Sequence, residues 1–503
     1  MAGLKSLAKD TVIYGLSSIV GRFLNYLLVP LYTAKLTVES GGYGIITNVY
    51  SYTALLLVIL TYGMETAFFR FSNKEGVEPK RVYSTILMSV GFTSLLFVAM
   101  VLMFLRPVSD AMGYALHPEY IGVMAVVVAM DAFQAIPFAY LRQQKKAVKF
   151  ASLKLLFIVL NIALNLLYFV LLPELYKSSP DIVGLVYNPN VGVGYAFFLN
   201  LVCTGVVMLC LLPELRGFKY VFDKALLRQM LRYSMPILIL GIAGILNQTA
   251  DKILFPFIYE GKDASSQLGI YGAASKIAMI MAMITQAFRY AYEPFVFGKS
   301  RDNDNKETYA IAMKYFLVFT LLAFIVVVGY LDLIKYIIAP DYWSGLKVVP
   351  IVMVAEIMMG VYFNLSFWYK LIDKTMWGAV FSGVGCAVLV AVNVIFVPEY
   401  GYMACAWGGV AGYGTAMVLS YLVGQKKYPI AYPMKDMTEY IMVSVVVYAI
   451  MEYVQVQNMW LDLALNTLLI VVFVAFVVKK EKLLFGKIIN RLNGKKFSKT
   501  KTC

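Results

Sequence analysis

Arg22 and Asn25 stand about one helical turn apart inside the first apolar stretch of this chain, where a charge is expensive unless something polar meets it. The matching stretch of the second half reads Asn247-Gln248-Thr249-Ala250-Asp251-Lys252. Aligning Pro30 with Pro256 sets Arg22 opposite Gln248 and Asn25 opposite Asp251. A run this polar does not suit a lipid-facing helix and reads as the wall of a cleft between helix bundles. Lys276 and Arg289 put two further bases on one later stretch, roughly 20 Å apart along a helix. Asp131 and Glu356 are acids inside apolar stretches, and Glu65 and Glu293 lie near the inner ends of theirs. The chemistry such a set offers is ligand binding and gating. Arg22 and Lys276 are the strongest ligand candidates, being far from the helix ends. Blander roles stand beside these: Arg289 snorkelling to the inner surface, Lys252 pairing with Asp251, Glu65 and Glu293 closing inner-gate salt bridges or anchoring helix ends, and Asp131 serving as a coupling-ion carboxylate or a helix–helix hydrogen-bond group.

Bond-making chemistry is poorly provided for. His117 is the one histidine, which excludes histidine metal clusters and argues against His-based acid–base catalysis. No GxxxxGK[ST] phosphate loop occurs, so energy is expected from a sodium or proton gradient, the membrane potential or the substrate's own gradient, with no cofactor. Cys203, Cys210, Cys386 and Cys405 fall within apolar stretches and Cys503 ends the chain, which predicts no structural disulfide.

The elements that must position these groups are membrane helices. Of 503 residues, 61% are hydrophobic and 15% charged, and mean hydropathy is +0.73. A soluble domain would expose far too much apolar surface. Runs of about 20 apolar residues recur, each able to cross a bilayer as a helix with its backbone hydrogen bonds closed internally. The alternation of an outer-membrane barrel is absent. The first run lacks a cleavage site and reads as a signal anchor. About fourteen spans are expected: 10–34, 43–69, 82–105, 119–141, 150–172, 191–212, 232–258, 267–296, 309–331, 345–369, 375–397, 401–424, 437–455 and 459–478. With the N-terminus inside, lysine and arginine favour the inner links over the outer ones by roughly five to one, which places both termini in the cytoplasm. The net charge of +15 is therefore mostly a topology signal and needs no nucleic acid partner.

Tyr43-Gly44 falls on Tyr271-Gly272, Glu65 on Glu293, Lys146 on Lys374 and Asn165 on Asn393, all at one displacement along the chain. Two six-span halves of the same orientation produce this pattern, the design of a carrier that rocks two bundles about a central site. The expected organisation is an N-terminal bundle (1–212), a basic cytoplasmic link (213–231), a C-terminal bundle (232–424), two further spans (425–478) and a basic tail (479–503). The tail has near-helical apolar spacing, consistent with a short interfacial helix or a frayed end. Tyrosines such as Tyr14, Tyr26, Tyr32, Tyr50 and Tyr52 read as interfacial belt or as platforms for sugar rings. Pro30, Pro236 and Pro256 are expected to break or bend spans one and seven.

The stretch from Tyr14-Gly15-Leu16-Ser17-Ser18 to Gly21-Arg22, then Pro30-Leu31-Tyr32 and the Tyr43-Gly44 that opens span two, resembles bacterial polysaccharide-biosynthesis membrane proteins. These are the Wzx-type flippases of lipid-linked oligosaccharides, in the multidrug/oligosaccharidyl-lipid/polysaccharide exporter superfamily. The resemblance implies an all-α membrane protein of two parallel six-helix bundles plus two extra C-terminal helices. It also implies alternating access between cytoplasm and periplasm, a bacterial inner-membrane location and a cationic cavity for a polyprenyl-diphosphate-linked oligosaccharide. Spans thirteen and fourteen would edge a lipid-accepting groove. On this reading Arg22, Lys252 and Lys276 hold the diphosphate through charge-assisted hydrogen bonds, the partners are the glycolipid, the bilayer and the polysaccharide polymerase machinery, and the carrier is a monomer. The rivals are a drug or cation extruder of the same fold, favoured by Asp131, Asp251 and Glu356; a major-facilitator carrier, whose usual basic link between spans two and three is missing; and a polytopic glycan polymerase, for which the outer link 173–190 carries too few charges.

Overall fold

Apolar runs of this length must satisfy their own backbone groups in lipid. The computed structural model is accordingly helical, with no strand among the described residues. It describes the backbone of residues 26–299, 306–372, 374–454, 456 and 458–499, and the side chains of these except 290–299 and 483–499. The first lobe holds α1 (Leu28–Lys35), α2 (Gly42–Thr61), α3 (Met64–Ser72), α4 (Pro79–Met103), α5 (Pro118–Gln143), α6 (Ala147–Leu166) and α7 (Gly194–Cys210). The second holds α8 (Lys224–Ile258), α9 (Ala264–Lys299), α10 (Lys306–Gly329), α11 (Val349–Leu365), α12 (Met376–Tyr400) and α13 (Tyr402–Lys427), and α14 (Met434–Tyr453) and α15 (Met459–Lys499) follow.

Among the described residues ten helices are long and apolar enough to cross a bilayer, so the chain is a multi-pass membrane protein. Every expected span from the second to the fourteenth coincides with helix, and most of the first lies outside the described residues. Three of these helices are shorter or less apolar. α7 has 17 residues, α13 is rich in glycine, and α14 opens with Lys435, Asp436 and Glu439.

Span two is the stretch Gly42–Ser72, with a turn between α2 and α3 where Tyr62 (φ +33°) and Gly63 (φ +71°) take left-handed conformations. Two expectations are corrected. The second half begins at Lys224, well before residue 232. Asp223 caps α8 by accepting the Leu226 N–H at 2.9 Å, a bond that holds its carboxyl below the usual carboxylate range. α8 then runs unbroken through Pro236 and Pro256. The tail is no separate helix: α15 continues from the last span to Lys499.

The basic links gather at one end, which we call the basic end. There Arg81 pairs with Asp223 at 2.8 Å, the carboxylate of buried Glu214 takes Lys149 at 2.7 Å, and Tyr83 donates to the Glu214 carbonyl at 3.1 Å. Ser84 and Thr85 bond the link backbone at Val221 and Asp223. The link is thereby fastened along the start of α4. Beneath it, Leu226 and Met230 of α8 join an aromatic core around Phe68, Tyr83 and Tyr140. At basic-end positions matched by the repeat, Lys146 N–H donates to Leu141 and Lys374 N–H to Tyr369, the same five-residue closure in each half.

The lobes meet through α2, which packs against α8 and α9. At the end opposite the basic links this contact is backbone to backbone at Gly44, which lies against Ser265 and Gly269, while Gly272, its counterpart in the repeat, makes room for the Thr47 side chain. Four inter-lobe hydrogen bonds surround the seam: Asn48 to the Lys252 carbonyl (2.7 Å), Ser266 to the Val38 carbonyl (2.6 Å), Tyr342 to the Leu36 carbonyl (2.6 Å) and Ala339 N–H to Thr33 (3.2 Å). The hydrophobic cluster around the seam draws on both lobes, from Tyr43 and Tyr120 to Tyr271 and Tyr342.

Candidate functional site

The polar residues expected to line a cleft between the lobes lie just past the glycine seam. Helical spacing puts Gly269, Gly272 and Lys276 on one face of α9, so Lys276 stands about one turn along from the seam on the face turned to the first lobe. The opposing face of α8 runs past Ile237, against Gly63, and Gly241, against Val58, to exposed Gln248 and to Lys252. Its neighbour Asn247 points the other way and bonds Ser382 of α12 at 2.9 and 3.0 Å, holding the lobe together.

The charges here are unevenly matched. Lys252 pairs with Asp251 at 2.9 Å, and its ammonium also reaches the Gln248 carbonyl at 3.1 Å. Asp251 is buried and accepts Tyr271 O–H at 2.6 Å. Asn48 from the first lobe grips the Lys252 backbone while taking Tyr114 O–H at 2.8 Å. Glu356 of α11 lies within electrostatic reach of both Asp251 and Lys252. Lys276 is half-buried, feels the Lys252 charge, and makes no hydrogen bond or ion pair among the described residues. Among the described residues Lys276 is thus left uncompensated, whereas Lys252 is neutralised by its neighbour. Arg22 and Asn25 lie outside the described residues, as does the Glu293 side chain.

Other expected site residues are placed elsewhere. Arg289 lies over the Phe363 ring at 4.3 Å and close to Tyr369, inside the second lobe. Glu65 pairs with Arg142 at 2.6 Å, both side chains about half exposed. That bond joins α3 to α5 within one lobe, so it is no gate between lobes. Asp131 belongs to a second cluster inside the first lobe. It bonds Thr204 of α7 and is electrostatically coupled to Lys154 of α6. Gln134 donates to the Thr204 carbonyl and Asn200 to Tyr50 at 2.7 Å, carrying the polar network to α2.

Sequence reasoning passed over Lys154, whose signal was a lysine inside an apolar run, near its start. It also passed over Lys314, which bonds both Glu481 oxygens at 2.9 Å while Tyr315 and Tyr440 donate to the same carboxylate at 2.8 and 2.6 Å. This group fastens α14 and α15 to α10. The α14 wall then leaves an apolar groove of about 810 Å³ between α10, α11, α13 and α14, from Lys347 at one mouth to Met434 at the other. Its wall includes Leu317, Phe324, Val354 and Ile441.

Two helical lobes joined at a glycine seam, with a lateral apolar groove, make up this multi-pass membrane protein. The chain belongs to the polysaccharide biosynthesis protein family, whose sequence profile matches residues 7–291. A protein of the Lsg locus of Haemophilus influenzae is 22% identical over 299 residues, a match covering 58% of this chain and 65% of that protein, just under two thirds of its length. Among solved structures, the lipid II flippase MurJ in an inward closed conformation superposes with a TM-score of 0.70 at 16% identity, over 94% of this chain and 99% of that one. An inward-facing multidrug resistance transporter of the MATE family gives 0.64 at 16% identity, over 80% and 94%. These likenesses establish the fold.

Proposed function

We propose that this protein is a flippase that moves a polyprenyl-diphosphate-linked oligosaccharide from the cytoplasmic to the periplasmic leaflet of the bacterial inner membrane, for export of a surface polysaccharide. Lys276 carries the reading: an ammonium held at depth in the cleft without a countercharge is a site prepared for an anion. A cation extruder would gain nothing from it. The remaining features fit the two ends of such a substrate. The polar head, which hydrocarbon excludes, enters the cleft, and the tail lies in the apolar groove beside α14. The basic end faces the cytoplasm, as the lysine and arginine bias requires. Parting of the α2–α9 seam while the basic ends close delivers the head to the other side. Glu356, half-buried and without a hydrogen bond among the described residues, is the carboxyl available to a coupling proton or sodium ion.

The test is complementation of a strain lacking this gene. Lys276→Gln, expressed normally, is expected to lower surface polysaccharide at least tenfold, and Lys276→Arg to keep most of it. Wild-type polysaccharide from Lys276→Gln would remove the anion site.

A further inference from the structure

At the end opposite the basic links, apart from the cleft and the groove, the first lobe carries a cavity of about 450 Å³ between the starts of α5 and α7. That size lies within the range of small-molecule sites. We propose that this cavity is a docking site for neutral saccharide, which receives the glycan of the substrate as it leaves the cleft; the assignment of that role rests on the flippase reading above.

Three features of the cavity point to this ligand. The first is a run of aromatic rings. His117 stacks on Tyr120 at 4.8 Å with the rings 8° apart, and Tyr195 stacks on Tyr187 at 5.5 Å and 13°. Behind the lining, Tyr168 meets Tyr195 at a tilt of 45° and Tyr176 meets Tyr187 edge-on, bracing this pair. Aromatic rings present flat apolar faces on which the C–H faces of a sugar ring pack, with polar edges for its hydroxyls. Gly194 makes the arrangement fit, since a Cβ there would stand 2.9 Å from the Tyr120 ring.

The second is unspent hydrogen bonding. Tyr195 O accepts the Asn188 N–H at 2.6 Å, leaving its own hydrogen to donate. Glu119 uses one oxygen on His117 at 2.9 Å and presents the other. The Asn190 side-chain amide has no bond among the described residues, although its backbone N–H is held by Asn188 at 3.0 Å. Sugar hydroxyls donate and accept at once, and this rim offers both. The third is charge. A carboxylate lines the cavity and neither lysine nor arginine does, so it repels a phosphate and favours an uncharged ligand. That separates it from the Lys276 cleft and from a lipid headgroup site.

The probes are fluorescently labelled maltotriose, chitotriose and lactose, titrated into the full-length protein in nanodiscs. At least one is expected to bind, with affinity lowered tenfold or more by His117→Ala combined with Asn190→Ala, both exposed positions whose loss leaves the fold intact. Lys276→Gln is expected to bind the same probe as wild type does while losing transport, so failure of the cleft and failure of this site are told apart. Absence of binding by all three sugars, or equal binding by wild type and the double variant, would overturn the proposal.

Discussion

Gly44→Leu is expected to hold the two lobes apart at the glycine seam and to reduce transport below a tenth of wild type. A Cβ at this position would overlap the Ser265 carbonyl oxygen and stand 2.7 Å from its carbon and 3.0 Å from the Gly269 nitrogen. All are backbone atoms of α9, which cannot swing aside as a side chain would. Overpacking in a tight contact costs about 1–3 kcal/mol. The penalty falls only on the conformation in which α2 and α9 touch. Each 1.4 kcal/mol shifts a two-state population roughly tenfold, so the balance moves toward the form with the seam open. Ser266→Cys, introduced at the seam in a background without native cysteines, reports this directly. Its labelling by a membrane-impermeant maleimide is expected to rise tenfold or more with Gly44→Leu. Gly44→Ala, which already places the Cβ, is expected to act in the same direction with smaller effect. Unchanged labelling together with unchanged transport would show that the seam does not open.

The second large effect is on stability. Lys314 and Glu481 are only 9% and 13% exposed, and the carboxylate is completed by two phenolic donors. Lys314→Met leaves that carboxylate without its countercharge, and breaking such a buried pair from one side costs about 3–5 kcal/mol. Lys314→Met combined with Glu481→Leu removes both charges and is expected to recover more than half of the loss, because apolar replacement of a buried pair is close to neutral. Thermal unfolding in detergent, followed by size-exclusion chromatography, measures both variants. A single substitution that unfolds with the wild type would mean that α14 and α15 are held to α10 by apolar packing and by the outer bonds of Asn466 and Tyr330 alone.

The helices were legible because hydropathy and charge bias are properties of whole segments. The departures have local causes. Tyr62 and Gly63, both at positive φ, put a turn inside span two, and one aspartate cap starts α8 early. The site was legible only in its charges. Asp251 and Lys252 are sequence neighbours that helix geometry points apart, yet the long lysine stem brings its ammonium back onto the carboxylate. Asn48, Tyr114 and Tyr271 carry no charge and gain meaning only from contacts across the fold, Asn48 reaching 204 residues along the chain to Lys252. Gly44 and Gly272 stood out as a repeated pair, but their role as the contact between lobes required the two helices side by side. Glu481 was read as part of a tail because hydropathy ends near residue 478, whereas the helix does not.

The most direct test is translocation in proteoliposomes by the purified protein. The substrate is a fluorescent, short-chain prenyl-diphosphate disaccharide, and its arrival in the far leaflet is read by an impermeant quencher. Wild-type protein is expected to move it at least tenfold faster than protein-free vesicles do, Lys276→Gln is expected to fall to the protein-free rate, and the same glycolipid with a neutral linker in place of the diphosphate is expected to stay behind. Equal movement of the neutral analogue, or wild-type rates from Lys276→Gln in vesicles that also expel a cationic dye, would contradict an anion-holding cleft and make this chain a cation extruder.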